Sequence, residues 1–139
     1  GIIEMLDAMA ALGLSLSIAT AKPEQTAHPI LDYFGISERF DVRAGATLTS
    51  QRRTKAQVID FALRQLEIHA DPDLGDHVIM VGDRDHDVQG AMSHGITTIG
   101  VDWGYGSIEE LLTAGAVAIA ETPAEVVEMV QQPYRLHRR

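Results

Sequence analysis

Three aspartates lie within five residues, at Asp83, Asp85 and Asp87 in the run Gly-Asp-Arg-Asp-His-Asp. Their carboxylates repel one another and a turn needs only one of them, so the spacing is more typical of metal or substrate binding than of a turn. Mg²⁺ takes one or two protein carboxylates along with oxygens of the substrate. Asp83 and Asp87 are therefore the candidate metal ligands, and Mg²⁺ is the expected cofactor.

A hydroxyl and an ammonium group elsewhere in the chain suit phosphoryl transfer. Thr20 follows a short apolar run and can donate a hydrogen bond to a phosphoryl oxygen. Lys55 stands at a predicted helix start, where its charge and the helix N–H groups can neutralise the transferring group. Taken alone, each residue also has a structural explanation, because a threonine that ends a strand is usually a loop residue and a lysine in a first helical turn is normally solvated. The helix dipole disfavours a cation there, which favours a functional role for Lys55.

Other binding sites fit these residues less well. An EF-hand loop would require glycine where Val88 stands and glutamate where His94 stands. His86 beside Asp87 suggests a transition-metal pair, but the remaining histidines are scattered along the chain. Gly-Tyr-Gly at 104–106 is more typical of a turn before a helix than of a dinucleotide-binding loop.

The elements that position these residues follow from alternating helical periodicity and short apolar runs. Capping boxes mark three helix starts, at Thr54 with Gln57, Ser107 with Glu110 and Thr122 with Glu125, and Pro133 ends the last helix. The strands predicted between the helices cover residues 14–19, 40–44, 77–81, 96–101 and 116–120. The run His77–Val81 is typical of a strand covered on both faces. This order predicts an α/β fold with a doubly wound, mostly parallel sheet, in a single domain over residues 1–139.

The candidate residues follow successive strands of this sheet. In open α/β sheets, ligands bind beyond the carboxyl ends of the strands. Thr20, Ala21 and Lys22 follow the first strand, Lys55 begins the helix after the second, and the acidic run follows the third. Parallel strands would bring these clusters to one edge of the sheet.

Composition narrows the class of protein. The 139 residues suffice for one compact domain, and 45% hydrophobic with 22% charged residues is ordinary globular composition. The absence of cysteine excludes disulfides, thiolate catalysis and cysteine-bound zinc. The net charge of −9 argues against nucleic acid as a partner, and no apolar run reaches the roughly 18 residues of a membrane span. We expect a cytoplasmic protein that does not bind membranes.

The ordered set of motifs resembles the haloacid dehalogenase (HAD) family. Ala19–Pro23 (ATAKP) resembles the second motif of the family, and Arg53–Ile59 (RTKAQVI) resembles the stretch around the lysine of the third. Val81–Asp87 (VGDRDHD) resembles the fourth motif, GDxxxD. Gly90–Gly106 (GAMSHGITTIGVDWGYG) is similar to the phosphoglycolate phosphatase-like branch. The resemblance covers essentially the whole chain and keeps the order and spacing of the motifs.

This resemblance implies a HAD-like Rossmannoid core and a Mg²⁺-dependent phosphatase that hydrolyses small phosphate monoesters through an aspartyl-phosphate. Thr20 would bind the phosphoryl group, and Lys55 would hold both that group and the nucleophile. Asp83 would be the direct metal ligand, with Asp87 supporting it. The flanking residues implied in substrate binding or ion pairing are Ala21, Lys22 and Arg84.

One departure from the family concerns its first motif, an apolar strand that ends in DxDGT or similar. The pair Asp71 and Asp73 has no strand before it. We therefore expect a C-terminal part of the core without the nucleophile strand, the acid/base aspartate and the cap. The missing strand would be central, between the strands that end at Thr20 and Asp83. Exposed strand edges would then favour self-association.

The sequence leaves two functions from different classes open. The first is a phosphatase-derived domain, inactive alone, whose parent acts on a small phosphorylated metabolite. The alternative is a non-catalytic Mg²⁺- or phosphate-binding or interaction module. A DxD-bearing strand upstream in the reading frame would distinguish them. A receiver-like signalling domain fits less well, because it would have an acidic pair where this chain has Thr20-Ala21-Lys22.

Overall fold

The structure, a computed structural model, describes residues 1–47, 49 and 51–131. Its helices are α1 Ile2–Ala11, α2 Glu24–Tyr33, α3 Lys55–Gln65, α4 Leu74–His77, α5 Asp85–Met92, α6 Ile108–Ala114 and α7 Pro123–Met129. Its strands are β1 Ser17–Pro23, β2 Val42–Ala46, β3 Ile79–Gly82, β4 Thr97–Val101 and β5 Ala118–Ala120. Pro133 lies outside the described residues, so its predicted role as a helix end stays a prediction. Within these residues, no helix is both long and apolar enough to cross a membrane.

The strands form two parallel sheets, with orders β1-β2 and β3-β4-β5. The parallel α/β class predicted from the sequence is confirmed, with two sheets in place of one continuous sheet. The described residues divide into two compact units, Met9–Ala70 and Gly1–Ala8 with the described residues from Asp71 onward. They are called the 9–70 unit and the 71–131 unit, and each contains one sheet. The single domain expected over residues 1–139 stays a prediction.

In the 9–70 unit, α3 packs its apolar face on the two-stranded sheet. Val58 and Ala62 of α3 are buried against Ala44 and Ala46 of β2. These two β2 side chains are small, which lets the helix lie close to the strand. Phe61 of α3 packs at the margin of this core. The packing fixes α3, and with it Lys55 in its first turn, relative to the end of β1.

In the 71–131 unit, β4 is the central strand, and all five of its residues are buried. Helices α5 and α6 cover it, with Val88 and Leu111 fully buried between them and the sheet. This core holds the ends of β3 and β4, where the candidate acidic residues begin.

The expectation that the run His77–Val81 forms a strand covered on both faces is wrong. His77 ends the short helix α4, and the strand begins at Ile79. Because β3 is an edge strand of its sheet, it is only partly buried, and Val81 is 39% exposed. The strand that is covered throughout is β4. An apolar run does not reveal how many strands flank it.

Candidate functional site

The candidate residues at the end of β1 lie in a bulge. Ala19 is opposite Ala44 and Pro23 is opposite Ala46, so Thr20, Ala21 and Lys22 share a single partner position on β2. The Thr20 Oγ1 accepts the N–H of Lys22 at 3.1 Å. Bulges of this kind re-aim side chains beside binding sites. Here the bulge leaves Thr20 half-buried and Ala21 and Lys22 exposed.

Lys55 reaches this bulge from the start of α3. Thr54 caps the helix in a complete capping box with Gln57, as predicted. The Lys55 ammonium donates a hydrogen bond to the carbonyl of Ala19, the residue before Thr20. A cation at a helix N-terminus is disfavoured by the dipole, and this carbonyl offsets that cost. The structure therefore brings Thr20 and Lys55 together; Thr20, Ala21, Lys22 and Lys55 are called the Thr20–Lys55 cluster.

The loop Gly82–Asp87, called the acidic loop, is folded around Asp87. That residue is 5% exposed, and its Oδ2 accepts the N–H groups of Asp83 at 3.0 Å and Arg84 at 3.1 Å. A Cβ on Gly82 would lie 2.5 Å from the Asp87 Cβ, so only glycine fits there. This geometry makes Asp87 the residue that shapes the loop.

Asp83 is held by the segment after β4. Its carbonyl accepts the Gly106 N–H at 3.0 Å, and its Oδ2 accepts the Tyr105 N–H at 2.9 Å. A Cβ on Gly104 would lie 2.2 Å from the Asp83 Cβ, and one on Gly106 would lie 2.1 Å from the Asp83 carbonyl oxygen. The Gly-Tyr-Gly sequence at 104–106 is a bend that follows a turn at residues 102–103, and the prediction of a turn before the helix missed its contact with Asp83. Two glycines within five residues of the end of a buried strand were the available signal.

Glu110 also binds the acidic loop, although the sequence indicated a capping box within its own helix. Ser107 accepts the Glu110 N–H at 3.0 Å, but the Glu110 carboxylate turns to the loop. Its Oε2 accepts the Asp85 N–H at 2.8 Å and pairs with the Arg84 Nε at 2.9 Å. The Asp85 N–H and the Arg84 guanidinium hold the pKa of Glu110 below its usual range, and Glu110 raises the pKa of Arg84. Arg84 is thus committed to an ion pair within its own unit.

The carboxylates of the acidic loop suit Mg²⁺ only as part of its ligand set. Across residues 1–47, 49 and 51–131, no group of three or more His, Cys, Asp or Glu side chains could hold a metal ion. Mg²⁺ needs only one or two protein carboxylates when substrate oxygens and water complete its shell. The half-buried Asp83 suits such a ligand, and Asp87 suits a support for it, because Asp87 Oδ2 holds the Asp83 and Arg84 main chain.

The two candidate clusters belong to different compact units. The Thr20–Lys55 cluster lies in the 9–70 unit, and the acidic loop lies in the 71–131 unit. The first unit supplies a hydroxyl and an ammonium group, which are donors for an anion. The second supplies carboxylates on a main-chain scaffold. Their convergence at one sheet edge stays a prediction.

Comparison with known proteins gives the same family from sequence and from fold. The family model described as haloacid dehalogenase-like hydrolase matches residues 1–101. The tyrosine-protein kinase PtkA of Mycobacterium tuberculosis is 45% identical over 106 residues, which are 76% of this chain and 35% of that protein. Phosphoglycolate phosphatase of Rhodospirillum rubrum is 31% identical over 134 residues, which are 96% of this chain and 53% of that enzyme.

Among solved structures, a predicted phosphatase from Clostridium acetobutylicum aligns with a TM-score of 0.86 at 36% identity. The alignment covers 94% of this chain and 58% of that one. The chain thus spans from about a third to somewhat over half of the length of these relatives.

Proposed function

This chain belongs to the haloacid dehalogenase-like hydrolase family, and we propose that it supplies the phosphate- and metal-binding groups of a Mg²⁺-dependent phosphatase for small phosphate monoesters. Its likeness to phosphatases in sequence and fold supports phosphatase chemistry in general. The observation that carries the proposal is the hydrogen bond from the Lys55 ammonium to the Ala19 carbonyl beside Thr20. It holds a cation at the residue next to a hydroxyl donor, at the end of one strand.

In this proposal the Thr20–Lys55 cluster binds the phosphoryl group. The Thr20 hydroxyl donates a hydrogen bond to one phosphoryl oxygen. The Lys55 ammonium exchanges part of its contact with the Ala19 carbonyl for a second phosphoryl oxygen, and also orients the nucleophile. Charge-assisted donors of this kind stabilise the charge that develops on the transferring group. Lys22 is exposed on the bulge and adds a positive charge at the approach of the substrate.

The acidic loop provides the metal ligand in the same proposal. Asp83 would hold Mg²⁺, and Asp87 would keep the Asp83 main chain in place. When bound, Mg²⁺ supplies positive charge that offsets the charge of the phosphate oxygens. Arg84, paired with Glu110, keeps the acidic loop in its observed shape.

We propose that the nucleophile comes from a segment outside these 139 residues, because Asp71-Pro72-Asp73 has no strand before it and Asp83-Arg84-Asp85, which follows β3, is assigned to the fourth motif. We therefore propose that the 139-residue chain binds phosphate without hydrolysing its esters. This also keeps the second candidate function open, a non-catalytic Mg²⁺- or phosphate-binding module, which the same residues would serve.

Hydrolysis of p-nitrophenyl phosphate tests the proposed function. The 139-residue chain should release nitrophenol no faster than buffer. A longer protein that carries the chain with a DxD-bearing strand should turn over in Mg²⁺ and lose that activity in Asp83→Ala. Turnover by the 139-residue chain that vanishes in Asp83→Ala would show that the nucleophile is within it. Absence of turnover in the longer protein would leave the binding module as the function.

Self-association is a further part of the proposal. In the described residues β1 pairs only with β2, and β3 pairs only with β4. Each strand therefore presents an open edge within its own sheet, and such edges recruit other strands. Sedimentation analysis of the 139-residue chain should find dimers or larger species. A monomer at all concentrations would contradict this.

A further inference from the structure

An ion pair in the 9–70 unit joins the two segments that carry the Thr20–Lys55 cluster. The Arg52 Nη2 lies 3.0 Å from the Glu24 Oε2. Glu24 stands two residues after Lys22, and Arg52 stands three residues before Lys55. The pair therefore spans 28 positions of sequence and connects the end of the bulge with the start of α3.

Several contacts hold this pair in a single arrangement. The Arg52 guanidinium carbon lies 3.7 Å from the centroid of the Phe61 ring, and Phe61 is on α3 itself. The other Glu24 oxygen, Oε1, accepts the N–H of Gly45 at 3.3 Å. The side chains of Arg52 and Glu24 are 15% and 25% exposed, so water screens the pair less than it screens a surface ion pair. A planar guanidinium suits such a stacked and paired site, whereas an ammonium does not.

The same contacts fix the backbone of the bulge. Gly45 is the residue on β2 that faces the bulge, and a Cβ there would lie 2.7 Å from the Lys22 carbonyl oxygen and 2.9 Å from the Glu24 Cγ. The Arg52 carbonyl accepts the Thr47 N–H at 2.8 Å, just beyond β2. Glu24 and Arg52 thus tie the bulge, the end of β2 and the approach to α3 to one another.

We infer that the Glu24–Arg52 pair positions the phosphate-binding groups. It sets the distance between the Thr20 bulge and the Lys55 ammonium, and it neutralises a carboxylate that would otherwise repel a phosphate at this strand end. Neither residue needs to touch the phosphate for this role. The inference rests on the proposed function of the Thr20–Lys55 cluster and adds two residues to it.

Binding of inorganic phosphate to the 139-residue chain tests the inference, with ¹H–¹⁵N chemical shifts as the readout. Arg52→Met and Glu24→Gln should each weaken binding about tenfold, the effect of losing one well-placed charge-assisted hydrogen bond. If the two residues acted only through their charges, the two variants would change phosphate affinity in opposite directions. Arg52→Met removes a positive charge and would weaken binding, whereas Glu24→Gln removes a negative charge and would tighten it. Affinity is fitted only to resonances of the folded chain, so a lower folded fraction does not imitate weaker binding.

Two further variants provide the controls. Arg64→Met removes an exposed ion pair with Asp60 on the same helix and should leave phosphate affinity unchanged. Arg52→Lys keeps the charge with less disturbance of the fold and should bind more weakly than the wild type but more tightly than Arg52→Met. The double variant of Glu24→Gln and Arg52→Met should bind no more weakly than either single variant, since the two residues act as one unit.

The outcomes separate the inference from the function on which it rests. A wild-type chain that binds no phosphate would overturn the proposed binding function, and the role of the pair with it. A wild type that binds, together with an Arg52→Met variant of equal affinity, would overturn the inference alone. So would a Glu24→Gln variant that binds more tightly than the wild type.

Discussion

The two candidate clusters are held by different kinds of contact. In the acidic loop, carboxylate and carbonyl oxygens of Asp83 and Asp87 accept main-chain N–H groups from both the loop and the segment after β4. In the Thr20–Lys55 cluster, a long side chain reaches a main-chain carbonyl, and a hydroxyl accepts one N–H. The carboxylates are thus fixed by hydrogen bonds to the main chain, whereas the Lys55 ammonium lies at the end of a stem of four methylene groups.

This difference predicts where substitutions act. The acidic loop cannot change without disturbing main-chain hydrogen bonds and glycine positions that leave no room for a side chain. Its variants should therefore lose folding stability as well as function. The Lys55 side chain can be shortened with little effect on the sheet or helix, so its variants should lose function first. A metal ligand gains from a rigid support, and a cation that follows a moving phosphoryl group gains from a flexible stem.

Lys55→Ala should produce the largest effect. In the longer protein with a DxD-bearing strand, it should remove about 3 kcal/mol of transition-state stabilisation, as expected for one preorganised donor, and kcat for p-nitrophenyl phosphate should fall accordingly. The free energy of unfolding should fall by only about 1 kcal/mol, the net contribution of a typical hydrogen bond. Steady-state kinetics and urea unfolding measure the two quantities.

Lys22→Ala is the matched control for that comparison. Lys22 has the same charge and lies on the bulge, but its hydrogen bond to Thr20 is made by its main-chain N–H, which alanine retains. Its effect on kcat should be clearly smaller than that of Lys55→Ala. A Lys55→Ala variant whose loss of stability equals its loss of transition-state stabilisation would contradict the proposed division between the two clusters.

Gly106→Ala should have the next largest effect, on stability. Gly106 is buried, and its added Cβ would lie 2.1 Å from the Asp83 carbonyl oxygen, so the segment after β4 must move away from the acidic loop. Overpacking of this kind costs about 2 kcal/mol. Urea unfolding of the 139-residue chain measures it.

Gly13→Ala provides the comparison for that variant. Gly13 has a φ of +80° but no atom within 4 Å of an added Cβ. Its substitution should cost only about 1 kcal/mol, from the left-handed backbone alone. Equal losses in the two variants would mean that the close approach at Asp83 does not determine the shape of the loop.

The order of elements could be predicted from the sequence because its signals are local. Helix starts were indicated by Thr54, Ser107 and Thr122, and all three side chains accept the expected N–H group. The glutamates of two predicted boxes bind elsewhere, however. Glu110 binds Arg84 and Asp85, and Glu125 accepts the N–H of Glu121 at 2.6 Å. The partner of Glu125 is still local, one residue before the predicted one, whereas Glu110 is drawn to a tertiary partner that its sequence pattern does not describe.

The candidate residues themselves were easier to predict than their supports. Thr20 and Lys55 carry reactive groups at strand and helix boundaries, and the structure brings them together. Arg52 and Glu24 gave no signal, because their pairing depends on the register of β1 with β2 and on the position of α3. Contacts that depend on tertiary packing cannot be derived from spacing along the chain.

The smallest effect is expected for His77 and Asp71, an ordinary pair outside both clusters. The His77 Nδ1 lies 2.8 Å from the Asp71 Oδ2, and the imidazole is 61% exposed. The hydrogen bond with Asp71 raises the pKa of His77 above its usual 6.5. The pair needs a protonated His77 and an ionised Asp71, and the same hydrogen bond lowers the pKa of Asp71 from its usual 3.8. Its stabilisation is therefore fully present between pH 3.8 and pH 6.5, and it is lost as the pH rises through the raised pKa of His77 or falls through the lowered pKa of Asp71. NMR titration of the imidazole should show that raised pKa of His77, and Asp71→Asn should return it towards 6.5.

Urea unfolding should show Asp71→Asn closer to wild-type stability than Gly106→Ala. An Asp71→Asn variant as unstable as Gly106→Ala would mean that main-chain support does not distinguish the acidic loop from the rest of its unit.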